Sequence, residues 1–496
     1  MQASSQSSHG AAEAVSVTPS LNTRAVTQAP LIAIIGAGFS GTAVAIHLLR
    51  RAPPKGLRIA LVDPRGEPGA GVAYATRDYP YPLNVAAGQM SLDSENPQDF
   101  LDFARGTGIR AEATDYLPRQ VFGEYLRVRL AGARAAASAK VLLAHHRASA
   151  LQLRRTTSGR FGVWLDDGSM LEADQVVLAL GNPPPACLRE IASIAATERY
   201  IGDPWSLGKL AHQEIQSVLL VGSGLTMIDA ALRLAAIRPR LRHIHILSRH
   251  GWLPQPQAFQ PAPAIRPDVH AALDTARGSI RALFRSLRAA ARTVVGAGGD
   301  WREVLALARS QLPEVWQGLN DAERARFLRH GRSAWDIHRH RVPAGPLGAV
   351  HALARLGVLE VHAGRLVEVN AYDDTVEVIW RPRGATRTRA WLVDRVVNCT
   401  GPDPRAERST DPLVQSLLSS GLVRCDARAL GIDVAADGRV ISRDGSAVDR
   451  LYYIGPWLRA RDWEATAVPE LREHAAVLAK RLLSNLETIV KLPAAP

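Results

Sequence analysis

The stretch Leu31-Ile-Ala-Ile-Ile-Gly36-Ala-Gly38-Phe39-Ser40-Gly41 constrains this chain more than any other. An apolar run ends in Gly-x-Gly-x-x-Gly, and an apolar helical pattern continues to Leu49. The pattern predicts a strand, a tight turn and a helix N-terminus. Gly36 permits the turn, Gly38 lets the backbone approach a pyrophosphate, and Gly41 lets the helix pack close to the strand. The first N–H groups of the helix, around Phe39 and Ser40, have no partner within the helix and suit phosphate oxygens. Ile59-Ala-Leu-Val-Asp63-Pro64 reads as the end of a second strand, 22 residues beyond Gly41. A carboxylate at Asp63 is placed to accept from ribose hydroxyls. Strand, helix and strand together outweigh the alternative of a glycine turn that binds nothing.

The pattern returns at Val218-Leu-Leu-Val-Gly222-Ser-Gly224-Leu-Thr226-Met227, with Met227 where the third glycine would stand. The following strand, His243 to Ser248, ends in Arg249 and carries no acid. An arginine there suits a 2′-phosphate, so this second site is expected to prefer NADPH to NADH; a solvated surface arginine is the alternative. A β meander follows each segment and returns to a buried strand ending in glycine, at Gly181 and at Gly401. A third such strand, from Asp449, ends at Gly455 and leads to a C-terminal helix over 470–487. Between the first βαβ unit and helices predicted at 97–107 and 120–137 lies an irregular stretch containing Tyr74 and Asn84. Such a loop at the carboxyl edge of a sheet often covers a ligand, which would place Asn84 near the cofactor; a turn asparagine is the alternative.

Residues 267–335 carry apolar positions at helical spacing and many arginines, so they read as a helical insertion. The insertion closes on Trp335-Asp-Ile-His338-Arg339-His340-Arg341. Arg339 and Arg341 are candidates for holding a carboxylate or the NADPH phosphates; a basic hinge or solvated face is the alternative. Two histidines at i,i+2 without a third ligand make a poor metal site, and no metal is expected. The formal charge of +13 rests on arginine, because only five of the 60 basic residues are lysine. The arginines are spread along the chain with no nucleic-acid-binding motif, so no nucleic-acid partner is expected. Cys187, Cys399 and Cys425 form neither a CxxC pair nor a zinc pattern, which fits a cytoplasmic protein. Residues 1–29 lack the apolar core of a secretory signal and read as a disordered tail. No run of 18 apolar residues occurs, so no membrane span is expected.

This layout resembles the two-dinucleotide-binding-domain flavoproteins. The resemblance puts FAD at Gly36, Gly38 and Gly41 and NAD(P)H at Gly222 and Gly224. More narrowly, the chain is similar to a bacterial FAD/NAD(P)-binding family over about residues 31–490. The motifs that carry this are Gly71-Val-Ala-Tyr74, Leu83-Asn-Val, Asp203-Pro-Trp205, Gly224-Leu-Thr-Met-x-Asp229, Trp335-Asp-x-His-Arg-His-Arg341 and Ala467-Val-Pro-Glu-Leu-Arg472. The related nitrosuccinate-forming aspartate N-monooxygenases share the N-terminal domain type. The resemblance implies an α/β fold of two Rossmann-like domains, the FAD domain glutathione-reductase-like, with a helical insertion. The FAD domain is expected at 30–205 and 345–490, and the NAD(P)H domain at 206–344. The chain lacks the CxxC of disulfide reductases. Tyr200-Ile-Gly202-Asp-Pro-Trp205 also lacks the histidine that Baeyer–Villiger enzymes carry at that place. The expected function is an FAD- and NADPH-dependent monooxygenase that passes one oxygen atom of O2 to a small nucleophile such as an amine or amino acid. A reductase or dehydrogenase acting on a small acceptor needs the same two sites, and a non-catalytic redox sensor needs only one. No residue stands out as a general acid or base.

Overall fold

The computed structural model describes residues 29–258, 267–309 and 311–491. The tail expected over 1–29 therefore lies, but for its last residue, outside the described residues. Strand β1 (Leu31–Ile35) runs into helix α1 (Phe39–Arg51) and then β2 (Leu57–Val62). Helix α2 (Arg119–Ala136) and β3 (Val141–His146) follow. The chain then makes the meander β4 (Ala150–Arg155), β5 (Phe161–Leu165) and β6 (Met170–Ala173) before β7 (Gln175–Leu178). Every residue of β1 is buried, because a parallel strand is covered on both faces. Ile32 and Ile34 point to the side of α1 and α2, and Leu31, Ala33 and Ile35 to the meander, which is the period of two expected of a strand.

The second half of the architecture repeats the first. Short β8 (Tyr200–Ile201) precedes β9 (Ser217–Val221), α3 (Leu225–Ile237) and β10 (His243–Ser248). Beyond the helical insertion come the meander β11 (Leu359–Tyr372), β12 (Thr375–Pro382) and β13 (Arg389–Val393), then β14 (Arg395–Asn398). Val218 and Leu220 face the side of α3, whereas Leu219 and Val221 face the meander. The first sheet has the order β15-β16-β7-β1-β2-β3, completed late in the chain by β15 (Arg439–Ile441) and β16 (Ala447–Tyr453). The second runs β13-β12-β11-β10-β9-β14-β8, and β4-β5-β6 stand as a third, small sheet.

This strand order corrects the expected domain boundary. Residues 345–490 do not all return to the first domain: β11 pairs with β10, and β14 pairs with β9 and β8, so the chain stays in the second sheet to Asn398. β8, expected in the first domain, also belongs to the second sheet. Each meander serves its own nucleotide-binding sheet, because each supplies the apolar cover for that sheet's second face.

The insertion is helical, as expected, and includes α4 (Ile280–Gly296) and α5 (Arg332–Arg339) with one π turn at Phe327–Gly331 between them. Its core does not close on itself. Leu312, Trp316, Phe327 and Trp335 pack with Leu430, Ala460 and Trp463, which come from the segment around β16. Helix α6 (Val468–Lys491) begins two residues before the expected start and covers α1 on the first sheet. No helix among the described residues is long and apolar enough to cross a membrane.

Candidate functional site

Leu178 pairs with both Ile35 and Tyr453, so β1, β7 and β16 end level. Gly36, Gly181 and Gly455 therefore follow on three adjacent strands at one carboxyl edge, where open α/β sheets bind ligands. Gly36 has φ +102°, and a Cβ there would lie 2.2 Å from the Ala179 carbonyl oxygen. A Cβ on Gly41 would lie 1.9 Å from the Gly36 oxygen. Gly38 differs: it caps α1 in extended backbone, and its Cβ would meet only the Gly71 Cα, at 3.6 Å. Gly36 and Gly41 thus serve packing, and Gly38 serves open space above a helix N-terminus. Phe39 is buried against Phe122, Ser40 is half-buried, and Pro64 is exposed.

The loop that follows β2 folds back over this turn. The Gly69 N–H donates to the Ala37 carbonyl at 2.8 Å. Gly71 to Tyr74, expected to be irregular, form one helical turn whose Tyr74 ring packs edge-on against Phe122. Burial pushes the Tyr74 hydroxyl up to about 12.

Asp63 stands where expected, but its oxygens are already engaged. Oδ2 accepts from the Ala37 N–H and from Arg65 Nη2, both at 2.8 Å. Oδ1 accepts from the Arg65 N–H at 3.0 Å and Nε at 2.8 Å. Burial opposes its ionisation, yet the Arg65 and Ala37 hydrogen bonds outweigh this and hold the carboxyl below the usual carboxylate range. Asp63 therefore fixes the turn, and Arg65, 43 % exposed, stands between it and solvent. The sequence reading overlooked Arg65; its signal is a cation two residues after the strand-end acid.

The second turn has the same build. Gly222 has φ +112°, and its Cβ would lie 2.4 Å from the Cys399 oxygen. Gly224 caps α3 in extended backbone with nothing within 4 Å of an added Cβ. Met227 is fully buried beside Val218 and Leu220. Ser248 ends level with Gly222: its hydroxyl is 2.8 Å from that of Ser223 and accepts from the Gly251 N–H at 3.0 Å. Arg249 is exposed, with Nη2 donating to the Ser333 hydroxyl at 3.4 Å. Gly401, beyond β14, has φ +82° and open space around it.

The irregular stretch joins the two domains. Arg119 of α2 pairs with Asp229 of α3 at 2.7 Å, both 13 % exposed, and Arg233 pairs with Asp78 at 2.8 Å. Thr226 lines a small pocket there with Tyr81, Trp205 and Asp229. Asn84 is half-buried, and its backbone carbonyl accepts from Gln257 Nε2 at 3.0 Å. The other end of Gln257 accepts from Arg341 Nε at 2.7 Å, so Gln257, absent from the sequence reading, brings Asn84 and Arg341 together. Burial, with Arg339 and Arg302 nearby, lowers Arg341 to about 10. Among the described residues Arg341 has no carboxylate partner.

Arg339 is otherwise placed. Its Nε donates to Glu464 at 2.6 Å and its Nη2 lies 3.7 Å from Glu470. Trp335 Nε1 also donates to Glu464, at 3.0 Å, and Arg309 pairs with Glu470. Glu464 is only 3 % exposed, so the tryptophan–histidine–arginine motif locks the insertion onto the start of α6. The pairing of Arg339 with two carboxylates leaves Arg341 as the available cation of the expected pair.

A family model described as FAD-NAD(P)-binding matches residues 33–183. An uncharacterised protein of Mycobacterium tuberculosis strain H37Rv is 25 % identical over 531 residues, spanning 93 % of this chain and 97 % of its own. Among solved structures, ornithine hydroxylase from Pseudomonas aeruginosa in its reduced form superposes with a TM-score of 0.61 at 15 % identity, over 92 % of this chain and 99 % of that one. L-lysine 6-monooxygenase from Pseudomonas syringae gives 0.61 at 16 % identity, over 94 % and 100 %. These likenesses establish the fold: an α/β chain with two dinucleotide-binding domains of the flavoprotein type, extending over nearly all of the described residues.

Proposed function

We propose that this chain holds FAD at the Gly36–Gly38–Gly41 turn and NADPH at the Gly222–Gly224 turn, and that it is a monooxygenase using O2 to N-hydroxylate a small amine or amino acid. The observation that carries this reading is the pair of capping glycines. Gly38 and Gly224 each open a helix N-terminus to a phosphate, on two sheets that Arg119 and Asp229 hold together. A sensor with one nucleotide has no use for the second turn. The match to an FAD-NAD(P)-binding family model and the fold shared with ornithine and lysine hydroxylases support it.

The flavin supplies the redox chemistry once bound, and the protein's part is binding, orientation and exclusion of water. Gly36, Gly38, Phe39, Ser40, Gly41, Asp63, Pro64, Tyr74, Asn84, Gly181 and Gly455 form the FAD site in this reading. Gly222, Gly224, Thr226, Ser248, Arg249 and Gly401 form the NADPH site. Arg341, steered by Gln257, takes the carboxylate of an amino-acid substrate, in keeping with the resemblance to aspartate N-monooxygenases. The protein works in the cytoplasm.

The test is NADPH oxidation in air by the flavin-loaded protein across aspartate, ornithine, lysine and simple diamines, with hydroxylamine products quantified by mass spectrometry. Hydroxylated product forming in step with NADPH supports the monooxygenase. NADPH oxidation that never yields such a product, in air or with artificial acceptors, would make it a reductase. Arg341→Met is expected to raise the substrate KM at least about tenfold, the worth of roughly 1.4 kcal/mol, with flavin content unchanged.

A further inference from the structure

Away from both turns, His245 of β10 and Glu360 and His362 of β11 stand together. The parallel register sets His245 beside Glu360 and Leu247 beside His362, so the period of two brings all three side chains to one face. Their ligand atoms lie within 4.8 Å of one another. His362 Nε2 is 3.3 Å from Glu360 Oε2. Among the described residues, His245 Nδ1 is buried with no hydrogen-bond partner, a state that native structures seldom leave unanswered.

The surroundings suit ligands rather than a loose surface cluster. Trp391 stacks on His245, ring centroids 4.7 Å apart and 10° between planes. Trp380 lies 5.2 Å from His362 and 4.4 Å from Trp391. These rings fix both imidazoles against the meander. Glu360, 56 % exposed, adds one negative charge and an entry from solvent. A tetrahedral ion with bonds of about 2.0–2.2 Å spaces its ligands by about 3.4 Å, so small side-chain rotations close the set.

We propose that His245, Glu360 and His362 form a site for one divalent cation of the Zn2+ type, with the fourth position open to water. Two imidazoles and one carboxylate favour Zn2+ and its borderline neighbours over Mg2+ or Ca2+, which take oxygen ligands. The ion ties β10 to β11 three residues before Ser248, about 10 Å along the strand from the rim of the second turn. It is a clip for the nicotinamide domain and takes no part in the redox step.

The experiment uses the tag-free full chain, stripped with a chelator and then titrated with ZnCl2. Retained metal is measured after desalting, and thermal unfolding with and without the ion. One Zn2+ per chain is expected, with a rise in Tm that equimolar MgCl2 does not give. Glu360→Gln and His362→Gln should each weaken binding at least tenfold while leaving the chain folded, and His338→Gln should leave it unchanged. The proposal is overturned if no stoichiometric zinc is retained, if Mg2+ stabilises equally, or if Glu360→Gln and His362→Gln bind as the parent does.

Discussion

The two nucleotide turns are the same object built twice, with two differences. In both, the first glycine sits at positive φ because a carbonyl from the neighbouring strand, Ala179 or Cys399, fills the place of a Cβ. In both, the second glycine caps a helix with its Cα face open. At the third position the first turn has Gly41 pressed on the Gly36 carbonyl, and the second has the buried Met227. At the strand end the first has Asp63, buried and fully hydrogen-bonded, and the second has Ser248 followed by the exposed Arg249. Of the shared features, the first glycine is sterically required for the turn, and the second leaves open space above the helix N-terminus. The differing ones change what packs between helix and strand and which charge stands at the strand end.

Exchanging the third residues gives the largest expected effect. Gly41→Met puts a Cβ 1.9 Å from a backbone oxygen that cannot yield, so the variant is expected to lose flavin and much of its soluble expression. Met227→Gly leaves a cavity and a helix glycine, a loss of about 3–5 kcal/mol. It should lower the urea midpoint and yet retain flavin. If Gly41→Met purifies yellow with the parent's midpoint, the close docking assigned to the first turn is wrong.

The second glycines separate the turns by function. Gly38→Val meets little protein, so the fold should survive while flavin binding is lost. Gly224→Val should purify yellow, with the KM for NADPH raised at least about tenfold, roughly 1.4 kcal/mol. Circular dichroism, flavin absorbance and NADPH kinetics on the pair distinguish the outcomes. A colourless Gly224→Val protein would contradict the division of cofactors between the sheets.

Much of this comparison is legible in the sequence, because local rules produce it. Gly-x-Gly after an apolar strand and before an apolar helix permits few other structures, and both meanders announce themselves by alternation and closing glycines. Long-range pairing is less legible. Asp63 carries the right chemistry, but only the structure shows Arg65 and Ala37 occupying its oxygens. Arg339 and Arg341 look equivalent in sequence, and Glu464, 125 residues beyond Arg339, makes them different. The domain boundary near 345 fails for a related reason: β11 to β14 choose their sheet by pairing with β9 and β10, which no local pattern near residue 345 encodes. His245 and His362 are likewise 117 residues apart and meet only through strand register.

Arg249 sharpens the contrast at the strand ends. Its guanidinium is exposed and, among the described residues, makes one long hydrogen bond to Ser333, which leaves it available to a phosphate. Arg249→Ala is expected to raise the KM for NADPH by about tenfold, again roughly 1.4 kcal/mol, and to leave that for NADH nearly unchanged. Equal losses with both nucleotides would place the 2′-phosphate elsewhere.

The smallest effect lies one step further along the two helices. His47 and Arg233 stand at matching places, nine residues after Gly38 and Gly224. Arg233 pairs with Asp78. His47 is 2 % exposed, with Nδ1 against Arg51 and Nε2 without a partner; burial first, then Arg51, lowers it to about 4. The unfolded chain therefore binds a proton at this residue that the folded chain refuses between pH 4 and the ordinary 6.5. Stability from this residue is complete above that window and falls as the pH drops through it, by about 3 kcal/mol at most. Acid should thus loosen the first domain through a group that the second lacks. His47→Leu keeps the volume and removes the titration, so the urea midpoint of flavin release should depend less steeply on pH between 6.5 and 4 in the variant than in the parent. Identical slopes in the two proteins would show that His47 stays solvated, and that the first helix is packed no more tightly at this level than the second.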